Sequence, residues 1–524
     1  MSDNRRFILI ALLTLGAAYA NISKISPDLL SSLADPSQQV NVIVQYSLPV
    51  CGSVPALQLC VPRALLGVTP TTVYTLVNAV TATLPSGILT LLSDLPNVSY
   101  ISVDRQLTMS ADLNPQTTNA PVAWSSGWTG AGVGVAVIDS GIYPHPDLNS
   151  RIVYRQSFVG GTLTDDFGHG THVAGILAGV GGVAPLANLL DLRVLDANGV
   201  STDAAVISAL ETAVSLKSKY NVRVINLSLG RPIYESCTLD PLCLAVEKAY
   251  QHGIVVVAAA GNLGRNGYAT ILSPGNSPHA ITVGAMKSMG TPTRNDDLIA
   301  SYSSRGPSYI DQTVKPDLVA PGNLVLSCLA PQSALAKAFP ANVAGSNHFI
   351  LSGTSMASPA VAAAAAILLE KDPTLTPDSV KARLMKTAGK AFPVSSTATD
   401  ASTGKTYTDV YDVFTIGAGY LDIAAAISSY EVTNKNSASP GSFYNLLTQK
   451  GSFVFLPGEV WGSSPAWAPG MVWGAAQVTG GGTSLWNASA VWATNVAWGS
   501  NVAWGSNVAW GSNVAWGSSG VGEQ

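Results

Sequence analysis

The sequence predicts an α/β protein built on a parallel β-sheet with helices on both faces, preceded by a small α+β unit and followed by a repetitive tail. Three observations carry this. Between about residues 122 and 429, near-continuous apolar runs bounded by Gly or Asp recur: Gly134–Ile138, Val222–Asn226 and Gly253–Ala258. Segments of helical spacing separate them, and strands apolar on both sides belong to parallel sheets covered on both faces. The composition is 47% apolar and 11% charged, so a large core is available and the surface must be rich in Ser, Thr, Asn and Gly. The 524 residues suffice for roughly three domains at ~150 residues each.

Residues 1–20 read as a secretory signal, with Arg5 and Arg6, an apolar run Phe7–Ala18 and the small-x-small site Ala18-Tyr19-Ala20. The run is short of the ~20 residues that span a bilayer, so no membrane span is expected after its removal, and the chain is expected to be secreted. In residues 21–110, Val40–Tyr46 alternates like a strand, Pro85–Leu95 has helical spacing and Val98–Val103 reads as a further strand. The Pro/Asn/Thr-rich stretch Asp112–Pro121 reads as a linker into the sheet domain, 111–430.

The tail, 431–524, is rich in Gly, Ser, Ala and Trp. Trp461, Trp467 and Trp473 recur every six residues, as do Trp486, Trp492, Trp498, Trp504, Trp510 and Trp516. In an extended strand a period of six keeps every ring on one face, as in stacked β arrays, whereas a helix scatters them. Ordered β structure and a flexible low-complexity tail both fit. The expectation is attachment to the cell surface or assembly, with the chemistry of the chain independent of the tail.

Net charge is −4 with no basic face, which excludes a nucleic-acid partner. Of the five cysteines, Cys51 lies near Cys60 and Cys237 near Cys243, while Cys328 stands alone. Two short-loop disulfides fit an exported chain, with pairing across the groups left open.

Three short segments carry chemistry. Val137-Ile138-Asp139-Ser140-Gly141 puts an aspartate directly after a buried strand. Gly168-His169-Gly170-Thr171-His172 opens a helix and lacks the Glu of a metalloprotease motif. Gly353-Thr354-Ser355-Met356-Ala357-Ser358-Pro359 sets Ser355 at the start of an Ala-rich helix, where free N–H groups and the helix dipole favour an oxyanion. Each alone has a plain structural reading as a turn aspartate, a helix histidine or an N-cap serine. Together they supply a nucleophile, its base and the carboxylate that orients the base, in the order Asp, His, Ser.

As wording and as order, these segments resemble the signatures of the subtilisin-like serine proteases, over about 310 residues. The resemblance implies that family's fold and a serine endopeptidase with Asp139, His169 and Ser355 as its triad. It implies that Asn262, in Ala258-Ala-Ala-Gly261-Asn262, donates to the oxyanion. Ser228-Leu229-Gly230 on one side and Gly199 on the other are implied to bind an extended polypeptide substrate. Arg231 stands where the family often has glycine, which bears on the first specificity pocket. Residues 21–110 resemble the inhibitory propeptide, an intramolecular partner released by self-cleavage between about Leu107 and Pro115. No cofactor is required. Calcium stays open: Asp147 matches a family ligand position, but the segment 175–185 that would supply further oxygens is short. Two rival readings are a non-catalytic surface protein working through its Trp repeat, and an esterase. The latter expects Gly where Ala357 stands.

Overall fold

The computed structural model describes residues 21–25, 27–47, 72–74, 79–103, 114–400, 404–445, 450–455, 458–461, 472–473 and 476–477. The signal, Cys51 and Cys60, residues 104–113 of the expected cleavage region and the hexapeptide units from Trp486 onward lie outside them. The chain divides into two compact units, 1–108 and 109–524. Among the described residues no helix is long and apolar enough to cross a membrane.

In the first unit, β1 (Gln39–Tyr46), β2 (Thr72–Tyr74), β3 (Ala79–Pro85), α1 (Ile88–Ser93) and β4 (Val98–Val103) form an antiparallel sheet in the order β2-β3-β1-β4 with one helix. Alternate residues Val42, Val44 and Tyr46 of β1 are buried with Leu89 and Leu92 of α1. The helix is shorter than the expected 85–95, because Pro85 closes strand β3.

The second unit begins with α2 (Asn114–Thr117) and α3 (Ala120–Ser125), where the sequence suggested a linker. The two prolines that read as breakers, Pro115 and Pro121, sit in first helical turns, where a missing N–H costs nothing. Ala120 and Ala123 are fully buried.

The main sheet comprises β5 (Gly134–Asp139), β6 (Ile152–Ser157), β7 (Asn188–Arg193), β8 (Val222–Leu227), β9 (Val255–Ala259), β10 (Ile281–Lys287), β11 (Leu298–Ile299) and β12 (Leu318–Pro321). Its order is β6-β7-β5-β8-β9-β10, with β12 parallel and β11 antiparallel beside β10. Its connecting helices are α4 (His169–Ala178), α5 (Asp203–Ser215), α6 (Lys217–Tyr220) and α7 (Pro241–Gln251). Strand β5 explains the arrangement. Val135 and Val137 join the apolar cluster that contains α4, while Ala136 and Ile138 join the one that contains α5 and α7. Both faces are covered, so both must be apolar.

Beyond the sheet, β13 (Val325–Cys328), α8 (Ala334–Ala338), β14 (Val343–Ala344) and β15 (His348–Leu351) lead into the long helix α9 (Thr354–Lys371), followed by α10 (Pro377–Thr387). Cys237 and Cys243 form a disulfide, closing the loop ahead of α7, and Cys328 is buried.

The packing continues past the 430/431 boundary that the change in composition suggested. Val314 N–H donates to Pro440 O at 2.8 Å, Thr313 bridges to Gly441, and the Trp461 indole donates to Ala438 O at 2.7 Å. Trp461 is 1% exposed and part of the α4 cluster. Ser439 reaches a buried charge cluster. Lys315 Nζ lies 2.9 Å from Ala280 O and 2.7 Å from Asp317 Oδ2. Lys381 Nζ lies 2.7 Å from Pro278 O, 2.9 Å from Ala280 O and 2.8 Å from Ser439 Oγ.

The described residues between 431 and 461 thus form a strap on the sheet unit, and the expectation that everything after 430 is dispensable narrows to the residues beyond 461. Trp461→Ala should cost about 3–5 kcal/mol of stability, read as a lowered unfolding midpoint in calorimetry at fixed scan rate. A chain ending at Tyr430 should fail to reach the native state and one ending after Trp461 should reach it. Equal folding of both would show the strap to be an ornament.

Candidate active site

Asp139 closes β5 at the carboxyl end of the sheet, where ligand sites of α/β folds gather. His169 is the first residue of α4. The two meet because Gly170 lets the helix start press against the strand end: a Cβ there would stand 2.3 Å from Gly141 O and 3.1 Å from Asp139 Cβ. His169 Nδ1 donates to Asp139 Oδ1 at 2.7 Å, with both side chains buried. This fixes the tautomer and leaves Nε2, which has no hydrogen-bond partner, as the basic nitrogen.

A second carboxylate braces this pair. Asp165 Oδ1 accepts from Ser140 Oγ at 2.8 Å and from Gly168 N–H at 2.6 Å, and Oδ2 accepts from Thr171 N–H and Oγ at 2.8 and 2.6 Å. Ser140 Oγ in turn accepts the Gly170 N–H at 2.8 Å. Burial works against a charged His169, but the Asp139 charge and hydrogen bond and the Asp165 charge outweigh it and hold its pKa above the ordinary 6.5. The second histidine is of another kind. His172 Nε2 donates to Val325 O and Phe349 O, both at 3.0 Å. Burial, and next the His169 charge, push its pKa down to about 3, so it stays neutral.

Ser355 is the second residue of α9. Its own N–H is among the first four of the helix, which have no intrahelical acceptor. Its carbonyl would normally accept from the residue four places on, but that residue is Pro359, which has no N–H. Ser228 Oγ takes the vacant role and donates to Ser355 O at 2.9 Å, while Ser228 O accepts from Ser355 Oγ at 3.0 Å. The end of β8 and the start of α9 are locked together at the serine. The hydroxyl faces Ser228 O, so the bond to His169 Nε2 is not made in this resting geometry. Catalytic hydrogen bonds often tighten only with substrate bound.

Asn262 follows β9. Its Oδ1 accepts from Thr354 N–H at 2.9 Å and from Thr354 Oγ at 3.1 Å. Of the two ends of a side-chain amide only the oxygen accepts, so the amide orientation is fixed and Nδ2 is the end that faces away from Thr354. Gly261 N–H donates to the same Thr354 hydroxyl at 3.1 Å.

The remaining expected residues fall around this centre. Gly230 abuts Leu272 and Ser273, and Leu229 is buried under α5 and α7. Gly199 lies against the Phe167 ring, whose centroid is 6.4 Å from that of His169. Arg231 turns aside, with its guanidinium on both Asp203 oxygens and on Asp240 at 2.8–3.0 Å. Asp147 is grouped with His145, His348 and Cys328. That is one carboxylate among imidazoles and a thiol, not the six to eight oxygens of calcium. His145 is also engaged at both ring nitrogens, by Asn347 O and the Asp147 N–H. The group does not fit calcium. Sequence reasoning passed over Ser140, Asp165 and Thr354; the available signal was an Asp four residues before the histidine in a Gly-rich segment.

The model of the subtilase family matches residues 130–419. The chain is 40% identical over 318 residues to the serine protease AprX of Bacillus subtilis, covering 57% of this chain and 71% of the relative. It is 38% identical over 326 residues to subtilisin E of the same organism, covering 60% and 76%. An alkaline protease of Shouchella clausii is 38% identical over 304 residues, covering 56% and 69%.

The raised His169 pKa has a consequence of definite sign. A base that works unprotonated loses activity as pH falls through its pKa, so the acid limb of kcat/KM should lie above pH 6.5. Asp165→Asn removes one of the charges that hold the proton and should move the limb to lower pH. A limb at or below 6.5 in the unaltered enzyme, or one unmoved by Asp165→Asn, would contradict these electrostatics.

Proposed function

Because the chain belongs to the subtilase family and is a serine-type endopeptidase, we propose that Ser355 is its nucleophile, His169 its general base and acid, Asp139 the group that orients the base, and Asn262 an oxyanion donor. What supports this reading is one adjacency: β5 and β8 are neighbouring strands with Ile138 opposite Leu227, β9 lies beside β8, and α4 packs on α9. It brings together the 2.7 Å Asp139–His169 bond, Ser355 at the head of α9 and the fixed Asn262 amide.

The reaction follows from these groups. An extended polypeptide lies as an added strand between Gly199 and the segment Ser228–Gly230. Ser355 Oγ turns from Ser228 O to His169 Nε2, gives up its proton and attacks the scissile carbonyl carbon. The oxygen becomes an anion and receives hydrogen bonds from Asn262 Nδ2 and the Ser355 N–H. His169 then hands its proton to the departing amine nitrogen as the C–N bond breaks, leaving an acyl ester on Ser355. Water, deprotonated by the same nitrogen, releases the acid and restores the serine. Asp139 offsets the imidazolium throughout and does not itself take the proton. Every group comes from the chain itself, without cofactor.

We extend the proposal to the life of the chain. The signal at 1–20 directs export, and residues 21–110 act as the inhibitory propeptide, which its own hydrophobic core suits. Self-cleavage between about 107 and 115 releases the enzyme.

A fluorophosphonate probe should label the exported enzyme and fail on Ser355→Ala, which should accumulate as an uncleaved, signal-less precursor. Peptide substrates should be hydrolysed far better than simple esters. Asn262→Ala should lower kcat by about 10²–10³-fold, the magnitude known for the equivalent asparagine of subtilisin itself and carried over to this chain. Equal labelling of Ser355→Ala, or a mature chain beginning near Asn21, would refute the assignment.

A further inference from the structure

Two segments that pack on α4 bring four side chains of metal-ligand type together. The turn His145-Pro146-Asp147 follows β5 and its Asp139. Cys328 ends β13 and His348 opens β15, and the two are directly paired across these antiparallel strands. Such a pair shares one face of the ladder, with Cβ atoms ~5 Å apart. One donor atom each from His145, Asp147 and Cys328 lie within 4.8 Å of one another. Asp147 Oδ2 also stands 3.9 Å from His145 Nδ1 and 3.9 Å from His348 Nε2. These separations are too long for hydrogen bonds. They approach the spacing of ligands on one ion: in a tetrahedron with Zn–N ~2.0 Å and Zn–S ~2.3 Å, donors stand roughly 3.3–3.6 Å apart.

The histidine is already set as a ligand would be. His145 Nδ1 accepts from the Asp147 N–H at 3.1 Å and therefore holds a lone pair, while Nε2 carries the proton and donates it to Asn347 O at 2.9 Å. Tying one ring N–H to a carbonyl, with the other nitrogen bare, is how metal-binding histidines are oriented. An ion would take the Nδ1 lone pair from the Asp147 N–H, exchanging one hydrogen bond for a coordinate bond. His145 and Cys328 are buried, whereas Asp147 and His348 are half-buried. Two donors are thus anchored, and the two at the rim can close the remaining gap by side-chain rotation and admit the ion from solvent. The donor set selects that ion. A thiolate with two imidazoles and one carboxylate suits zinc and its neighbours in the first transition row, whereas calcium and magnesium want oxygen ligands. Four protein donors leave no open position, which makes the site structural and not catalytic.

We propose that His145, Asp147, Cys328 and His348 form a structural site for a thiophilic divalent cation of the zinc class, which ties the turn after β5 to the β13–β15 hairpin. Binding releases the Cys328 thiol proton. Both tied pieces lean on α4, the helix that His169 opens. Tyr143 N–H donates to Thr171 Oγ at 2.8 Å, and a Cβ on Gly175 would stand 2.8 Å from Cys328 Sγ. The ion therefore stiffens the surroundings of the helix and takes no part in peptide hydrolysis. The site stands apart from the assignment of the triad.

The test uses the purified exported enzyme without a histidine tag, inactivated by a fluorophosphonate so that it cannot digest itself. After treatment with a chelator, Co²⁺ should bind in equimolar amount and give the intense visible bands of a tetrahedral ion, with a near-ultraviolet thiolate charge-transfer band. Cys237 and Cys243 are joined, so within the sheet unit that band reports Cys328. Zn²⁺ should displace the cobalt and erase the spectrum, and excess Ca²⁺ should leave it unchanged. The unfolding midpoint should rise with zinc concentration, as for any ligand that binds only the folded chain. Cys328→Ser should remove the thiolate band. That variant and His348→Ala should each weaken zinc at least about tenfold, the lower end of what loss of a mere supporting partner costs at metal sites. His348 lies at the rim, so His348→Ala decides the matter if Cys328→Ser does not fold. Pale octahedral cobalt without the thiolate band, displacement by Ca²⁺, or zinc affinity and midpoint unchanged in His348→Ala overturns the site.

Discussion

Helix α9 is buried from Thr354 to Leu369, and that constraint organises the rest. It packs against β8, β9, β10, β12 and α4. A helix enclosed this way cannot present a polar face, and side chains of full size would hold its neighbours apart. The run Ala362–Ala366 meets both demands, since alanine is at once the best helix former and the smallest side chain with a Cβ. The enclosure also gives the chemistry its precision. A serine at the head of a helix that cannot shift inherits the rigidity of the whole core, and Pro359 converts a helix hydrogen bond into a cross-link to β8.

The electrostatics of the centre are set by a similar economy of parts. Two histidines lie three apart on α4 and meet opposite environments. His169 faces carboxylates and is driven toward its charged form, whereas His172 faces two carbonyls and stays neutral. Carbonyls can orient a ring but offer no counter-charge. One residue is thus equipped to exchange protons and the other to hold β13 and β15 in place through Val325 O and Phe349 O.

Much of this was legible in the sequence, for identifiable reasons. The runs at 134–138, 222–226 and 253–258 announce themselves because strands covered on both faces have no polar alternation to blur. Asp139, His169 and Ser355 are legible because each follows or opens such an element, and because three short motifs in one order constrain one another. What the sequence hid is non-local. Cys328 stands alone in the sequence until β13 and β15 set it opposite His348, beside His145 and Asp147. Residues 112–121 looked like a linker because first-turn prolines and breaking prolines are the same letters. The strap was hidden for the opposite reason. Its Gly, Ser and Asn content matches that of the tail, yet Trp461, the first ring of the six-residue series, is buried as core.

The cluster beneath Ser439 has a consequence for the conditions in which the protein holds together. Carbonyl oxygens of Pro278 and Ala280 and the Asp317 carboxylate form the kind of oxygen cage that in other settings recruits a dissolved ion, and here two lysine ammonium groups fill it. A cation borne on a side chain cannot be diluted away or sequestered, so this corner of the fold is indifferent to the mineral content of the medium. What remains is a dependence on protons. Burial, set against the Asp317 charge, pushes the Lys315 ammonium well below the usual lysine range, to about 7, so alkalinity and not hardness of the water decides how fully the cage is charged.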